Sequence, residues 1–170
     1  MARSADLKFL HADFRRKVEG VLAECQRRKV PMVVFEAFRS AARQGELYAQ
    51  GRTKLFDDNK QRLKVVTKAV PWSSLHQYGF AVDFVLNIPG VNPWANSPHW
   101  TTLHQIAAGY DLTPLSFELA HLQPANMSVA ALKAGKFPKG GGIDWAENMV
   151  AAIRAWPQGA PPIAAVNGGV

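Results

Sequence analysis

The sequence predicts an α+β fold. Amphipathic helical periodicities recur along the chain. Two short runs rich in β-branched and aromatic residues interrupt them, and no regular strand–helix–strand repeat links the two kinds of segment. The 170 residues suit one domain of ordinary size, and 48% apolar against 19% charged residues marks a chain that folds around a core.

The elements follow in chain order. Residues 7–28 place Leu7, Leu10, Phe14, Val18, Val21, Leu22 and Cys25 at helical spacing, with Arg15, Arg16, Arg27 and Arg28 mostly opposite, so one amphipathic helix is expected. Cys25, on the apolar side, reads as a buried, inert thiol, and a lone cysteine excludes an internal disulfide framework. After Pro31, Met32–Val33–Val34–Phe35 suits a buried strand. Ser40 is placed to cap a helix running to Gln50, with Gly51 as its stop. Residues 52–64 are polar and basic, and Asp57, Asp58 and Asn59 make them a surface loop; Val65–Val66–Thr67 reads as a short strand.

Ala81 to Leu86 is the second strongly β-like run, and residues 87–96, rich in Pro, Gly and Asn, form a loop. Ser97–Pro98 reads as an N-cap followed by Pro at the first helical position, opening a helix to Ala108 that turns Trp100, Leu103 and Ala107 inward and ends at Gly109. Leu115 to Leu122 is expected as a strand and residues 127–135 as a short helix. Gly140–Gly141–Gly142 marks a hinge, and Asp144 with Glu147 has the spacing of a capping box. The helix that follows aligns Trp145, Met149, Ile153 and Trp156, either to pack back on the domain or to touch a membrane or wall. Beyond Trp156 a Pro/Gly/Ala-rich tail is expected to fray. The organisation expected is a main domain over residues 1–139 and a C-terminal helix and tail over 140–170.

Charge is unevenly distributed. The net charge is +7, yet residues 1–70 hold 16 Lys and Arg against 8 Asp and Glu, and no Lys or Arg occurs from Ala69 to Leu132. A uniformly basic nucleic-acid binder does not fit this distribution. No segment reaches the length of a membrane span, so no stable membrane insertion is expected. The start, MARSADLKF, lacks the apolar core of a secretory signal peptide, so a cytoplasmic chain is expected.

Two clusters inside the Lys/Arg-free stretch carry chemistry: His76 and Asp83 in SLHQYGFAVDF, and Glu118 and His121 in FELAHLQ. His, Asp and His with one open position is the ligand set of a catalytic zinc site. A carboxylate near the metal, as Glu118 lies near His121 in sequence, can take a proton from bound water. Read singly, His76 is an ordinary polar histidine and a Glu-x-x-His triplet arises by chance. Asp83, between Val82 and Phe84, needs a partner if buried. His11, His99 and His104 read as surface or helix-packing residues.

The ordered blocks FRSAARQGELYAQGRT, VTKAVPWSSLHQYGFAVDF and FELAHLQ resemble the zinc peptidases of bacterial and phage cell-wall turnover over about residues 5–125. These are the D-Ala-D-Ala carboxypeptidases and L-alanyl–D-glutamate endopeptidases that share a core with hedgehog domains. The resemblance implies a small antiparallel sheet flanked by helices. It also implies a Zn2+ cofactor held by His76, Asp83 and His121, with Glu118 as catalytic base and Arg39 polarising the scissile carbonyl. Ser74 matches the serine two residues before the first ligand. Gly79 and Ala81 match small residues where the chain passes tightly. Gln44 and Tyr48 fall in the matching helix as substrate-binding or supporting groups, although Tyr48 can equally just pack. Arg52 either binds an anionic peptide or braces the helix end. Two segments depart from the family pattern, Tyr110 to Ser116 and Glu118–Leu119–Ala120, and both bear on the pocket that selects the bond.

The implied activity is hydrolysis of peptidoglycan stem peptides. The form expected is an L-alanyl–D-glutamate endopeptidase acting as a monomeric phage or prophage endolysin, held in the cytoplasm until lysis admits it to the periplasm and wall. The alternatives are a D,D- or L,D-carboxypeptidase and a non-catalytic wall-binding domain of the same fold.

Overall fold

The computed structural model describes residues 3–170; Met1 and Ala2, where the stretch read for a leader and the 1–139 range begin, lie outside the described residues. Among the described residues, six α-helices and four strands follow one another as α1 (Ala12–Arg27), β1 (Met32–Glu36), α2 (Ala41–Ala49), β2 (Val82–Leu86), α3 (His99–Ala108), β3 (Leu112–Leu115), β4 (Glu118–Pro124), α4 (Val129–Lys133), α5 (Ile143–Ala155) and α6 (Ile163–Asn167). Short 3-10 turns at Leu7–Phe9 and Leu75–Tyr78 precede α1 and β2. The strands form one antiparallel sheet in the order β1-β2-β4-β3, so the α+β expectation holds.

The apolar stripe of α1 is buried through Phe14, Val18, Val21 and Cys25. Each such side chain contributes about 1.5–3 kcal/mol when fully withdrawn from water. Burial also pushes the Cys25 thiol up. The helix expected over 7–28 divides, because the chain turns at Leu10–His11 to let the His11 N–H donate to Gly79 O. Ser40 caps α2 as its position suggests, its Oγ accepting from the Arg43 N–H at 3.2 Å. In the 52–64 loop, Asp57 Oδ1 accepts from the Asn59 and Gln61 amides.

Several expectations give way. Val65–Thr67 forms no strand. The stretch from Leu115 to Leu122 is the tip of a hairpin, β3 and β4 joined through Ser116–Phe117. Pro98 takes the capping position of α3 instead of its first turn, with Trp100, Leu103 and Ala107 inward as expected. The Asp144/Glu147 box does not form, because Gly142 caps α5 without a side chain. There the Gly141 carbonyl already accepts from Ala12 N and the Gly141 N–H donates to Gly169 O. The tail beyond Trp156 is built in: α6 forms, Val166 is fully buried, and Lys139 Nζ donates to Gly168 O. Trp145, Met149, Ile153 and Val166 share a single core with α1 and the sheet, so α5 packs back on the domain.

Candidate metal and peptide site

β2 is the buried central strand, and its register sets the site. Asp83 lies directly opposite His121 on β4 and opposite Glu36 on β1. His76 arrives from the 3-10 turn at Leu75–Tyr78, which Gly79 closes in the left-handed conformation (φ 75°) before the chain enters β2. The end of β1 is laced to that turn, since Arg39 N donates to His76 O (3.2 Å) and His76 Nδ1 donates to Ala37 O (2.8 Å).

His76, Asp83 and His121 are buried, and their ligand atoms lie within 4.8 Å of one another. Asp83 Oδ1 is 3.1 Å from His76 Nε2 and 3.3 Å from His121 Nδ1. The outer partners decide what lies between them. Ala37 O can only accept, so His76 Nδ1 bears a proton. Gln123 Oε1, 2.9 Å from His121 Nε2, takes the proton of that nitrogen. Each imidazole thus turns its other nitrogen toward Asp83 Oδ1, where a shared proton or a metal ion can be held. Deprotonated donors with acceptors fixing their outer nitrogens are what a metal ion requires, so the set fits the divalent cation expected from the sequence.

Burial pushes the Asp83 carboxyl up, but the opposing attraction of His76, hydrogen bonds at both histidines and the charge of Arg39 outweigh it and hold the group well below the usual carboxylate range. Arg39 touches Asp83 Oδ2 through Nη2 (2.9 Å), Glu36 Oε2 through Nε (2.8 Å) and Gln44 Oε1 through Nη1 (3.1 Å). Arg43 adds a second cation to Glu36 at 2.6 Å. Glu36, missed in the sequence, thus faces Asp83 across the strands as a second buried carboxylate, and Arg39 bridges the two. Gln123 was also missed as a ligand support, although its spacing of two from His121 on a strand puts both on one face.

A groove of about 760 Å³ opens beside the ligands, lined by Arg39, Ser74, His76, Glu118 and His121 among others. Three residues apart on a regular strand, Glu118 and His121 would point to opposite faces. The register accounts for both lining one groove: Thr113 pairs with Gln123 but Leu115 with Glu118, so four residues of β4 stand opposite Pro114 alone. Pro114 has no N–H to hold the ladder, and β4 bulges there.

Gln44 is fully buried. Its carbonyl accepts from Arg39 and Gln77, and its amide donates to Ala69 O (2.7 Å) and Thr67 Oγ1 (3.3 Å), which gives it a supporting place and no free group for a substrate. Tyr48 stacks under the Arg52 guanidinium, 4.0 Å from its ring centroid. Arg52 donates to Tyr48 O and Thr67 O, the brace and not the peptide contact. Among the other histidines, His104 donates to Leu119 O at 2.8 Å from the surface, while His11 is fully buried against Phe80 and Trp145.

Known proteins align with this frame. The peptidoglycan L-alanyl-D-glutamate endopeptidase CwlK of Bacillus subtilis (strain 168) is 36% identical over 77 residues, 45% of this chain and 42% of CwlK, so the match spans under half of that protein. The LD-carboxypeptidase LdcB shares the fold with a TM-score of 0.50 at 15% identity, over 72% of this chain and 62% of that one. The Serratia marcescens L-Ala D-Glu endopeptidase ChiX gives a TM-score of 0.48 at 22% identity, over 70% and 83%. The VanY D-alanyl-D-alanine carboxypeptidase model matches residues 7–126, a span that holds all three prospective ligands, Arg39 and Glu118, and this chain belongs to that family.

Proposed function

We propose that the protein is a zinc-dependent peptidase of peptidoglycan stem peptides, cutting the L-alanyl–D-glutamate bond in the manner of a phage or prophage endolysin. The observation that carries this reading is the convergence of His76 Nε2, His121 Nδ1 and Asp83 Oδ1 with Glu118 at the mouth of the same groove. The 36% identity to an endopeptidase favours that bond. Family membership favours the second reading, a carboxypeptidase that trims D-Ala from the same peptide.

Zinc, when bound, supplies Lewis acidity at the scissile carbonyl and makes water a usable nucleophile near neutral pH. The chain's own residues do the rest. Glu118 accepts the proton of the attacking water and passes it to the leaving amine. Arg39 fixes Asp83 in place and keeps it ionised. Ala37 O and Gln123 Oε1 hold the two imidazoles in the tautomers that leave their inner nitrogens free.

Mass analysis of digested peptidoglycan tests the reading. New N-terminal D-Glu supports the endopeptidase, and free D-Ala the carboxypeptidase. Glu118→Ala is expected to keep its zinc and lose about 10²- to 10⁴-fold in turnover; near wild-type hydrolysis by that variant sinks the assignment. Asp83→Ala is expected to lose the metal. Lysis of host cells only when expression is combined with a membrane-permeabilising partner is the expected sign of the endolysin role.

A further inference from the structure

We propose that Lys68 is a specificity-determining residue that binds a free carboxylate on the leaving side of the scissile bond. This rests on the peptidase reading above and names what the groove selects.

The groove has two walls. One is the segment Val65–Ala69, the other the β3–β4 tip with Leu115, Phe117 and Glu118. Two cations other than histidine line it, Arg39 and Lys68. Arg39 is committed to Glu36, Asp83 and Gln44. Lys68 is exposed and has no ion pair or hydrogen bond among the described residues. Its backbone is nevertheless fixed on both sides. Arg52 holds Thr67 O, Gln44 holds Ala69 O and Thr67 Oγ1, and Thr67 Oγ1 accepts from Ala69 N at 3.1 Å. The same Gln44 amide meets Arg39, so one side chain ties the Lys68 segment to the Asp83 environment. A lysine anchored at its Cα and free at its ammonium, in a groove whose other non-histidine cation, Arg39, is committed, is placed to select an anion.

The groove's remaining charge sharpens the point. Glu118 lines it, and a peptide carboxylate entering beside Glu118 needs a compensating cation. Stem peptides offer such a group in two places. The D-Glu residue linked through its γ-carboxyl keeps a free α-carboxylate next to the L-Ala–D-Glu bond, and a terminal D-Ala carries one next to the D-Ala–D-Ala bond. In both cases the carboxylate sits on the residue that leaves as amine.

Four synthetic peptides of the sequence L-Ala-γ-D-Glu-L-Lys-D-Ala-D-Ala test this, with the D-Glu α-carboxylate free or amidated and the C-terminus free or amidated. Zinc-loaded wild type and Lys68→Met are compared on each. The KM of the wild type is expected to rise about tenfold when the selecting carboxylate is amidated, with kcat unchanged, as befits binding equal in ground and transition state. Which amidation has this effect identifies the source. Lys68→Met is expected to show the raised KM on the free acid and indifference to amidation, and Lys68→Arg to recover the preference. Binding of the free-acid peptide to Glu118→Ala, measured by calorimetry, is expected to weaken to the same degree when Lys68→Met is added. Wild-type discrimination retained in Lys68→Met overturns the subsite alone. If the wild type cleaves none of the four peptides, the peptidase reading falls and the subsite with it.

Discussion

At the residue scale, the centre of the site is a charge ledger that only the folded chain reveals. Glu36 and Asp83 face each other across β1 and β2, both buried, a pairing that is unfavourable without a cation between them. Arg39 is that cation. Replacing it with Met is expected to cost about 3–5 kcal/mol of stability, the range for a buried charge left uncompensated. Adding Glu36→Gln to Arg39→Met is expected to restore part of that loss, because one of the two facing charges disappears. Urea unfolding of the four forms of this cycle measures the coupling. Additive losses would show that Arg39 is not bridging the carboxylates. His76, Asp83, His121 and Glu118 were legible in the sequence as two clusters inside a stretch free of Lys and Arg and through the family resemblance; read singly, only Asp83, between Val82 and Phe84, lacks an ordinary reason to be where it is. Glu36 was not, because it ends its strand, where a charged residue reads as the start of a loop; the register shift between Val34 and Glu36 is what sets it opposite Asp83.

At the element scale, two irregularities of backbone make the site. One is the bulge of β4 opposite Pro114, which no periodicity argument finds because it breaks the period. It is also why the single strand expected from Leu115 to Leu122 is the tip of a hairpin. The other is the tight exit from the Leu75–Tyr78 turn at Gly79, which the family resemblance marked as a place where the chain passes tightly. A Cβ there would lie 2.9 Å from the Trp145 ring and 3.1 Å from the His11 N and Phe9 O atoms, at a φ of 75° that strains any other residue. Gly79→Ala is therefore expected to cost about 1–3 kcal/mol or more. Because the turn carries His76, the variant is also expected to bind zinc more weakly. Thermal unfolding and metal titration check both. A variant with full zinc affinity and wild-type melting would separate the turn from the site.

At the scale of the whole molecule, the C-terminal segment from Gly140 onward is the staple of the N-terminal segment, and His11 is the point where they meet. The chain's division into a main domain and a hinged tail looked natural from the three glycines. Yet Gly141 packs its backbone between Ala12 and Gly169, and Trp145 donates its indole N–H to Tyr78 O at 2.9 Å. His11 lies inside this joint, stacked 4.7 Å from Phe80 and edge-on to Trp145 at 5.0 Å, with Nε2 3.4 Å from Pro138 O and a buried Nδ1 that meets no partner among the described residues. Burial lowers its pKa from the ordinary 6.5, against a smaller upward pull from the Pro138 carbonyl. A second proton would sit on Nδ1 with nothing to accept it. Since the folded value lies below the unfolded one, the unfolded chain takes up the proton first on acidification. The stability linked to His11 is therefore complete above the ordinary value and is lost as pH falls through the folded value. Denaturant unfolding from about pH 8 to about pH 5 is expected to show that loss in the wild type, and a shallower one in His11→Phe, which keeps the stacking and removes the titration. Hydrogen exchange over the same range is expected to accelerate first in α5, the helix that holds Trp145. An identical slope in the two proteins would place the acid sensitivity elsewhere, on groups the joint does not contain.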